Sequence, residues 1–445
     1  MSRPRQGRPA TPCAAAARPA CALLVALSAG CATSAAAPGI AADACTAAAT
    51  SAAPAIRIAV GDRIDPRNAP VPTNSDERLL FAQIYEALLR VDCNGAPVPA
   101  LAESWSASPD RLTWSFRLRQ GIRFSDGTPL DAAAAATSLS TSNLPALAAV
   151  AAAGEQELHV RLNEPQNAFF FAQPALSVTR VTGAGAWPVG TGAYRPEPDT
   201  RGLRLVRTQP DPAAPDTLRA VRVPGDDPRG ALDSGVDLLM TAHAATIAYA
   251  RLLAEYAVRP LPWNRTYALV SPAGEGSILP EESERESLAR DAAATGTRAA
   301  GMTSPAWCTT GAGSVSSRPA AATVAYPRGD DIARGMAERI AALSWPVDRT
   351  PTWLRMLLPP TVSAPLTARA VDADALLEEM RAGAGGLFVV AMRHCSGADP
   401  AYSAVAAAGL RTTPLVDARD HLVHRAGIGS ITTDAAGTPR FGPVR

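Results

Sequence analysis

The densest run of chemistry-bearing side chains is AMRHCSGADPAY (Ala391–Tyr402), where Arg393, His394, Cys395, Ser396 and Asp399 fall within seven positions. A guanidinium in such a run is a bidentate partner for a carboxylate or phosphate. The pattern is equally compatible with Arg393 tied to a structural carboxylate. The motifs that would turn these groups into a catalyst are missing: there is no GxSxG, no HExxH, and no GxGxxG after a strand. All 42 basic residues are arginine, which excludes Schiff-base and Walker-lysine chemistry. No CxxC and no His/Cys cluster at zinc spacing occurs, so neither a metal nor a cofactor is expected. His159, His421 and His424 fit ordinary surface or satisfied core roles, and the pairs Glu281–Glu282 and Asp330–Asp331 read as solvated loop or helix-start charges. The expectation is binding rather than catalysis.

The elements that must position this run alternate strand and helix. LFVVAM (Leu387–Met392) is a short buried strand ending at Arg393, preceded by a helix in ADALLEEM and a Gly-rich stop. ATVAY (Ala322–Tyr326) is a strand leading into a helix with Ile332, Met336, Ile340 and Leu343 on one face. Nearer the N-terminus, Ile56, Ile58 and Val60 alternate as in a strand. NSDERLLFAQIYEALLRVD follows as a helix that Ser75 can cap, with Leu80, Ile84, Ala87 and Leu88 as its apolar face. RLTWSFRLR (Arg111–Arg119) alternates strictly: Leu112, Trp114, Phe116 and Leu118 face one way, and polar residues face the other. IRF then reads as a second short strand, SDGTP as a turn, and Asp131 as the cap of an alanine-rich helix. These aromatics read as the core of a small antiparallel unit rather than as a site.

The first 30 residues carry Arg3, Arg5, Arg8 and Arg18, no acid, and the apolar run CALLVALSAG (Cys21–Gly30), which together describe an export signal. LSAGC resembles a lipobox, with Cys31 as the lipidated first residue of the mature chain. Removing the signal takes four arginines from a formal charge of +1 and leaves −3. Without a basic stripe, nucleic acid is not an expected partner. Residues 32–54 are Ala/Ser/Thr/Pro-rich and read as a tether. Cys45, Cys93, Cys308 and Cys395 remain, an even number bound for an oxidising compartment, and a Cys308–Cys395 bridge is one candidate.

VPALAESWSASPDRLTWSFRLRQGIRFSDGTPL closely resembles the signature of extracellular solute-binding proteins of the oligopeptide/dipeptide/nickel type, the binding components of ABC importers. IYEALLRVDCNGAPVPALAESW before it, and PVGTGAYRPE (Pro188–Glu197) after it, are similar to the same family, and the likeness covers most of 55–441. The segment 272–320 departs from it, and the chain is short for the family. The resemblance implies an α/β, two-lobe, hinged periplasmic-binding-protein-like fold with a small inserted α+β domain. In that scheme residues 1–30 are signal and 31–54 tether. Residues 55–87, 187–262 and 412–445 form the first lobe, 88–186 the inserted domain, and 263–411 the second lobe.

By resemblance, the strand end at Arg393 faces the interlobe cleft. Arg393 stands where the family usually has an aromatic, and Ser396 where it has the Asp that pairs with a peptide amine; a one-position gap would let Asp399 serve instead. Trp263, Arg265 and Tyr267 fall on the crossover between lobes, with hinge packing as the alternative role. His243 and the loop DRIDPRN fall on further cleft walls. The expectation is an exported, monomeric, lipid-anchored binding protein that passes a polar or peptide-like solute to a permease. The alternative is a degenerate member serving as a surface scaffold or sensor lipoprotein.

Overall fold

Two sheets, each with apolar clusters on both faces, are the largest in the described residues. The computed structural model describes residues 46–47, 49, 51–61, 63–142, 144–181, 183, 187–199, 202–223, 229–272, 297–299, 323–342, 366–383, 386–393 and 399–442. All of them fall in one compact unit, Ile40–Arg445. The first sheet has seven strands in the order Tyr256–Pro260, His421–Arg425, Leu238–Thr241, Ala55–Val60, Thr217–Arg222, Gly202–Arg207, Tyr194–Asp199. Ala55–Val60 lies at its centre, parallel to both neighbours. Ile56, Ile58 and Val60 enter one apolar cluster, while Ala59 faces Leu232, Leu239 and Tyr256 on the other side. The period-2 alternation in the sequence is this division between faces.

The second sheet has six strands in the order Thr297–Ala299, Arg411–Ala418, Arg265–Ser271, Leu387–Met392, Thr323–Pro327, Thr367–Val371. Leu387 and Val389 pack with Met336 and Ile340 of the helix Asp331–Ala342. Phe388 and Val390 pack with Leu376 and Met380 of the helix Ala373–Arg381 and with Val405 of Pro400–Ala408. Helices on both faces explain why LFVVAM is a continuous apolar run. The chain passes between the sheets at 261–264 and again at 419–420. The two passages are tied by Leu261 N–H donating to the Asp420 carbonyl (3.0 Å) and Asn264 N–H to that of Ala418 (3.3 Å).

A four-stranded antiparallel sheet, in the order Ala102–Ala107, Thr113–Leu118, Glu157–Leu162, Leu147–Ala152, holds Trp114 and Phe116. Trp114 and Phe116 are buried, and the Phe171 ring sits 4.9 and 4.6 Å from theirs. Asp131 caps Ala132–Ser140 as expected, accepting from Ala134 N–H at 2.7 Å. IRF forms no strand; Arg123 makes only an isolated bridge to Pro129, closing the turn that SDGTP begins. Cys93 is disulfide-bonded. The proposed lipidation site Cys31 and the pair Cys308 and Cys395 lie outside the described residues.

The first helix departs from its sequence reading at both ends. Asn74, not Ser75, is the cap: its side chain accepts from Glu77 N–H at 2.8 Å, and the helix runs Ser75–Ile84. Ala87 and Leu88 lie beyond it, because the backbone there pairs outward: Ala102 N–H donates to the Leu88 carbonyl at 2.9 Å, and Ala87 bridges Ser177. The GTG of PVGTGAY has a steric reason at this helix end. A Cβ on Gly190 would stand 2.1 Å from the Ile84 carbonyl oxygen, and one on Gly192 2.4 Å from that of Gln83. Only a bare backbone can run so close.

Candidate functional site

The end of the strand Leu387–Met392 meets the crossover and the first helix. The ladder pairs Thr266 with Met392, so the next step sets Arg393 beside Arg265. A β-bulge between Tyr267 and Ala268 re-aims this end of the crossover strand. Arg265 donates to Asp420 (2.8 Å) and to the Asn264 side chain (3.0 Å), and it shares a hydrogen bond with Tyr267. The Tyr267 hydroxyl donates in turn to the Asp330 carboxylate at 2.9 and 3.0 Å. Asn264 also donates to Asp420 (3.3 Å). A buried polar chain thus links the helix start at Asp330 to both crossovers.

The electrostatics follow from burial. Desolvation works to raise the Asp420 pKa, but Arg265 and Arg393 outweigh it and hold it at about 2. Burial pushes the Tyr267 hydroxyl upward, assisted by Asp330. Burial likewise raises Asp330. Asp330 takes the helix-start place expected of it, accepting from Ala333 N–H (3.0 Å), and its carboxylate is enclosed rather than solvated. Arg393 is brought down to about 10, first by burial and then by Arg78 and Arg265, and it keeps its charge at neutral pH.

Arg393 bridges elements far apart in sequence. Its Nη2 donates to Ser75 Oγ (3.1 Å), and its backbone N–H donates to Asp399 Oδ2 (2.7 Å). Asp399 also accepts from Ala401 and Tyr402 N–H and so caps Pro400–Ala408. The structure therefore brings Arg393, Asp399 and Tyr267 to one place. His394, Cys395 and Ser396 lie outside the described residues. Trp263 packs under Arg419, whose guanidinium sits 4.4 Å from the ring centre. His243 caps the helix Ala244–Ala250, taking Thr246 N–H on Nδ1, and its Nε2 lies 3.0 Å from Asp331 Oδ2. His421 is 2% exposed, and no protein partner meets its Nδ1, contrary to a satisfied core role. The loop after the first strand is organised by buried Glu77, which accepts from Asp65 N–H, Asn68 and Thr73.

Sequence reasoning missed Arg78 and Asp420. Arg78 stands on the first helix within electrostatic reach of Arg265, Arg393, Asp399 and Asp420. One indication was available: at helical spacing Arg78 shares a stripe with the buried residues Phe81 and Tyr85. Asp420 gave none, because its partners lie about 155 residues away in sequence. Among the described residues no group of three or more His, Cys, Asp or Glu could hold a metal ion, and no helix is long and apolar enough to cross a membrane.

Two sheets joined by paired crossovers, with polar side chains gathered at the strand ends beside them, can be compared with known proteins in fold and in sequence. The model of the bacterial extracellular solute-binding proteins, family 5 Middle, matches residues 96–210. NikA from Brucella suis, solved with Fe(III)-EDTA, superposes with a TM-score of 0.65 at 16% identity, covering 88% of this chain and 100% of that one. The dipeptide-binding protein from Pseudoalteromonas sp. SM9913, solved with Met-Leu, gives 0.61 at 14% identity, covering 87% and 100%. The nickel-binding periplasmic protein of Escherichia coli K12 is 48% identical over 59 residues, 13% of this chain and 11% of its own. The glutathione-binding protein GsiB of the same strain is 30% identical over 166 residues, 32% of each chain. The matched stretches thus span a third or less of these curated relatives. The superpositions give the chain the two-lobe fold that the sequence resemblance implied, and the family 5 likeness in sequence is carried by residues 96–210.

Proposed function

We propose that this chain is an exported, lipid-anchored solute-binding protein that takes a peptide-like or other polar solute where the strand end at Arg393 faces the first helix. It passes that solute to an ABC permease. The observation that carries the reading is Arg393 itself, which leaves the six-stranded sheet and reaches Ser75 at the start of the first helix, beside crossovers on which two lobes can hinge. Arg393, Ser396, Asp399, His394, Tyr267, Trp263 and His243 are the residues proposed to face or frame the solute. The named relatives bind nickel and glutathione, so both solutes belong in the first screen.

Differential scanning fluorimetry of the mature chain against di- and tripeptides, glutathione and nickel–histidine tests the reading. A bound solute raises the melting temperature by mass action, and the shift grows with its concentration. If no solute in a broad peptide and metabolite panel shifts the midpoint, the scaffold role takes its place. The anchor is tested separately by Cys31→Ala. Acyl chains contribute about 0.8 kcal/mol per buried CH₂, and stable attachment needs more than one chain. The variant is expected in the soluble fraction, and a variant that stays with membranes after a salt wash would exclude lipidation at Cys31.

A further inference from the structure

We infer that Arg78, Arg265 and Arg393 form a recognition cluster for an oxyanion group of the solute, a carboxylate or a phosphate, with Arg78 and Arg393 supplying the donors. The inference rests on the binding-protein reading and narrows its substrate class. The three guanidiniums arrive from three elements: the first helix, the crossover strand, and the end of Leu387–Met392. They lie within electrostatic reach of one another. Arg265 is neutralised by Asp420 at 2.8 Å. Asp420 also lies within electrostatic reach of Arg78 and Arg393, but its side-chain hydrogen bonds go to Arg265 and Asn264. Arg393 gives a single side-chain hydrogen bond, to the neutral Ser75 hydroxyl. The Nε of Arg78 is buried and meets no protein acceptor.

The carboxylates nearby are directed elsewhere. Asp399 accepts from the backbone N–H groups of Arg393, Ala401 and Tyr402. Asp434 accepts from Thr438 N–H (2.7 Å), Asp330 from Tyr267 and Ala333, and Glu77 from its own loop. A guanidinium carries five N–H donors in a planar fork, and a buried donor left without an acceptor is costly. An oxyanion presents paired acceptor oxygens at the spacing of that fork. A free amine would add a fourth cation and bring no acceptor. The helix stripe that carries Arg78 also carries Phe81 and Tyr85, so an apolar side chain at position 78 would fit the packing there. Asp434, Asp420 and Asp399 lie within electrostatic reach of Arg78 and favour its charge, but among the described residues none accepts from its buried Nε, which is left for an acceptor on a ligand.

Equilibrium dialysis with mass-spectrometric readout tests this on the mature chain. The probes are a mixture of di- and tripeptides with free C-termini, the same peptides as C-terminal amides, glutathione, and inorganic phosphate. The wild type is expected to retain free acids at least tenfold over the matching amides, and Arg78→Met and Arg393→Met should each lower that retention tenfold or more. Arg78→Met should at the same time melt no lower than wild type, because a buried Nε–H without an acceptor has been removed. Displacement of the acids by phosphate would assign the cluster to oxyanions in general, and indifference to phosphate would assign it to carboxylates. Equal retention of acids and amides, or retention unchanged in both Met variants, overturns the inference and leaves the binding-protein reading standing. A protein that retains none of the probes, and nothing from a whole-cell metabolite extract, overturns both.

Discussion

The small aromatic sheet and the polar junction at the crossovers are held together by opposite means. In the first, Phe171 packs edge to face on Phe116 and Phe170 (4.6 and 5.2 Å) and tilted on Trp114 (4.9 Å), within one buried apolar cluster. In the second, Arg265, Asp420, Tyr267, Asp330 and Asn264 are buried through hydrogen bonds, two of them as a full ion pair. Apolar burial adds area by area and tolerates no cavity. A buried ion pair contributes little net stability but is costly when one partner is taken away. The aromatic unit is therefore a structural brace, and the junction holds charge in place at some expense in stability.

The contrast is sharpest in how the two regions should respond to a second mutation. Phe171→Ala removes a ring that touches both Trp114 and Phe116, and it should cost about 3–5 kcal/mol in chemical denaturation. No second truncation in that cluster should recover the loss. Asp420→Ala leaves Arg265 charged and buried and should cost a similar 3–5 kcal/mol. Here the double variant Arg265→Met/Asp420→Leu should return to within about 1 kcal/mol of wild type. If the double variant is as unstable as Asp420→Ala alone, the junction is a stabilising brace like the aromatic sheet, and the contrast fails.

Acid should also separate the two regions. His421 sits at a crossover end with its pKa lowered to about 4, chiefly by burial and then by Arg419 and Arg251. The unfolded chain takes up this proton near pH 6.5. The native state does so only near pH 4. Stability contributed by the neutral ring is thus fully present above about pH 6.5, is lost progressively as pH falls from there to about 4, and falls no further below it, a change of about 3 kcal/mol. The aromatic sheet contains no comparable buried titratable group in its cluster. His421→Phe should flatten the loss between pH 6.5 and 4, and an unchanged slope in that variant would show that another group carries it.

The regions differ, too, in how far the sequence foretells them. The aromatic sheet was legible because strict alternation over Leu112–Leu118 needs only neighbours in sequence to be interpreted. The same holds for the strand LFVVAM and the cap at Asp131. The junction was only half legible. Arg393, Asp399 and Tyr267 could be placed at a strand end, but Arg78, Asp420 and Ser75 join them through contacts spanning 155 to 318 residues of sequence, which no local pattern encodes. Ser75 shows the limit most clearly: it is a good helix cap by type, yet Asn74 takes that role and frees the Ser75 hydroxyl for Arg393. Burial of Asp330 was hidden for the same reason, because its partner Tyr267 lies 63 residues earlier.

The smallest effect concerns His243, which joins the two large sheets without belonging to the buried junction. Its Nδ1 accepts from Thr246 N–H, so the neutral ring carries its proton on Nε2 and donates it to Asp331 (3.0 Å) at the start of the helix Asp331–Ala342. His243 follows a strand of the seven-stranded sheet, and Asp331 follows one of the six-stranded sheet, so the bond spans the two. Both side chains are partly exposed, and Asp331 also holds Arg334 at 2.8 Å, so the contact should be worth no more than about 1 kcal/mol. If the sheets separate when the solute leaves, this bond exists only in the closed arrangement. His243→Ala should then leave the denaturation midpoint nearly unchanged while weakening solute affinity up to about fivefold. Small-angle scattering of the solute-free variant should show a larger radius of gyration than wild type. Equal radii and equal affinities would mean that His243 only caps its helix, and that closure depends on the Arg393–Ser75 contact instead.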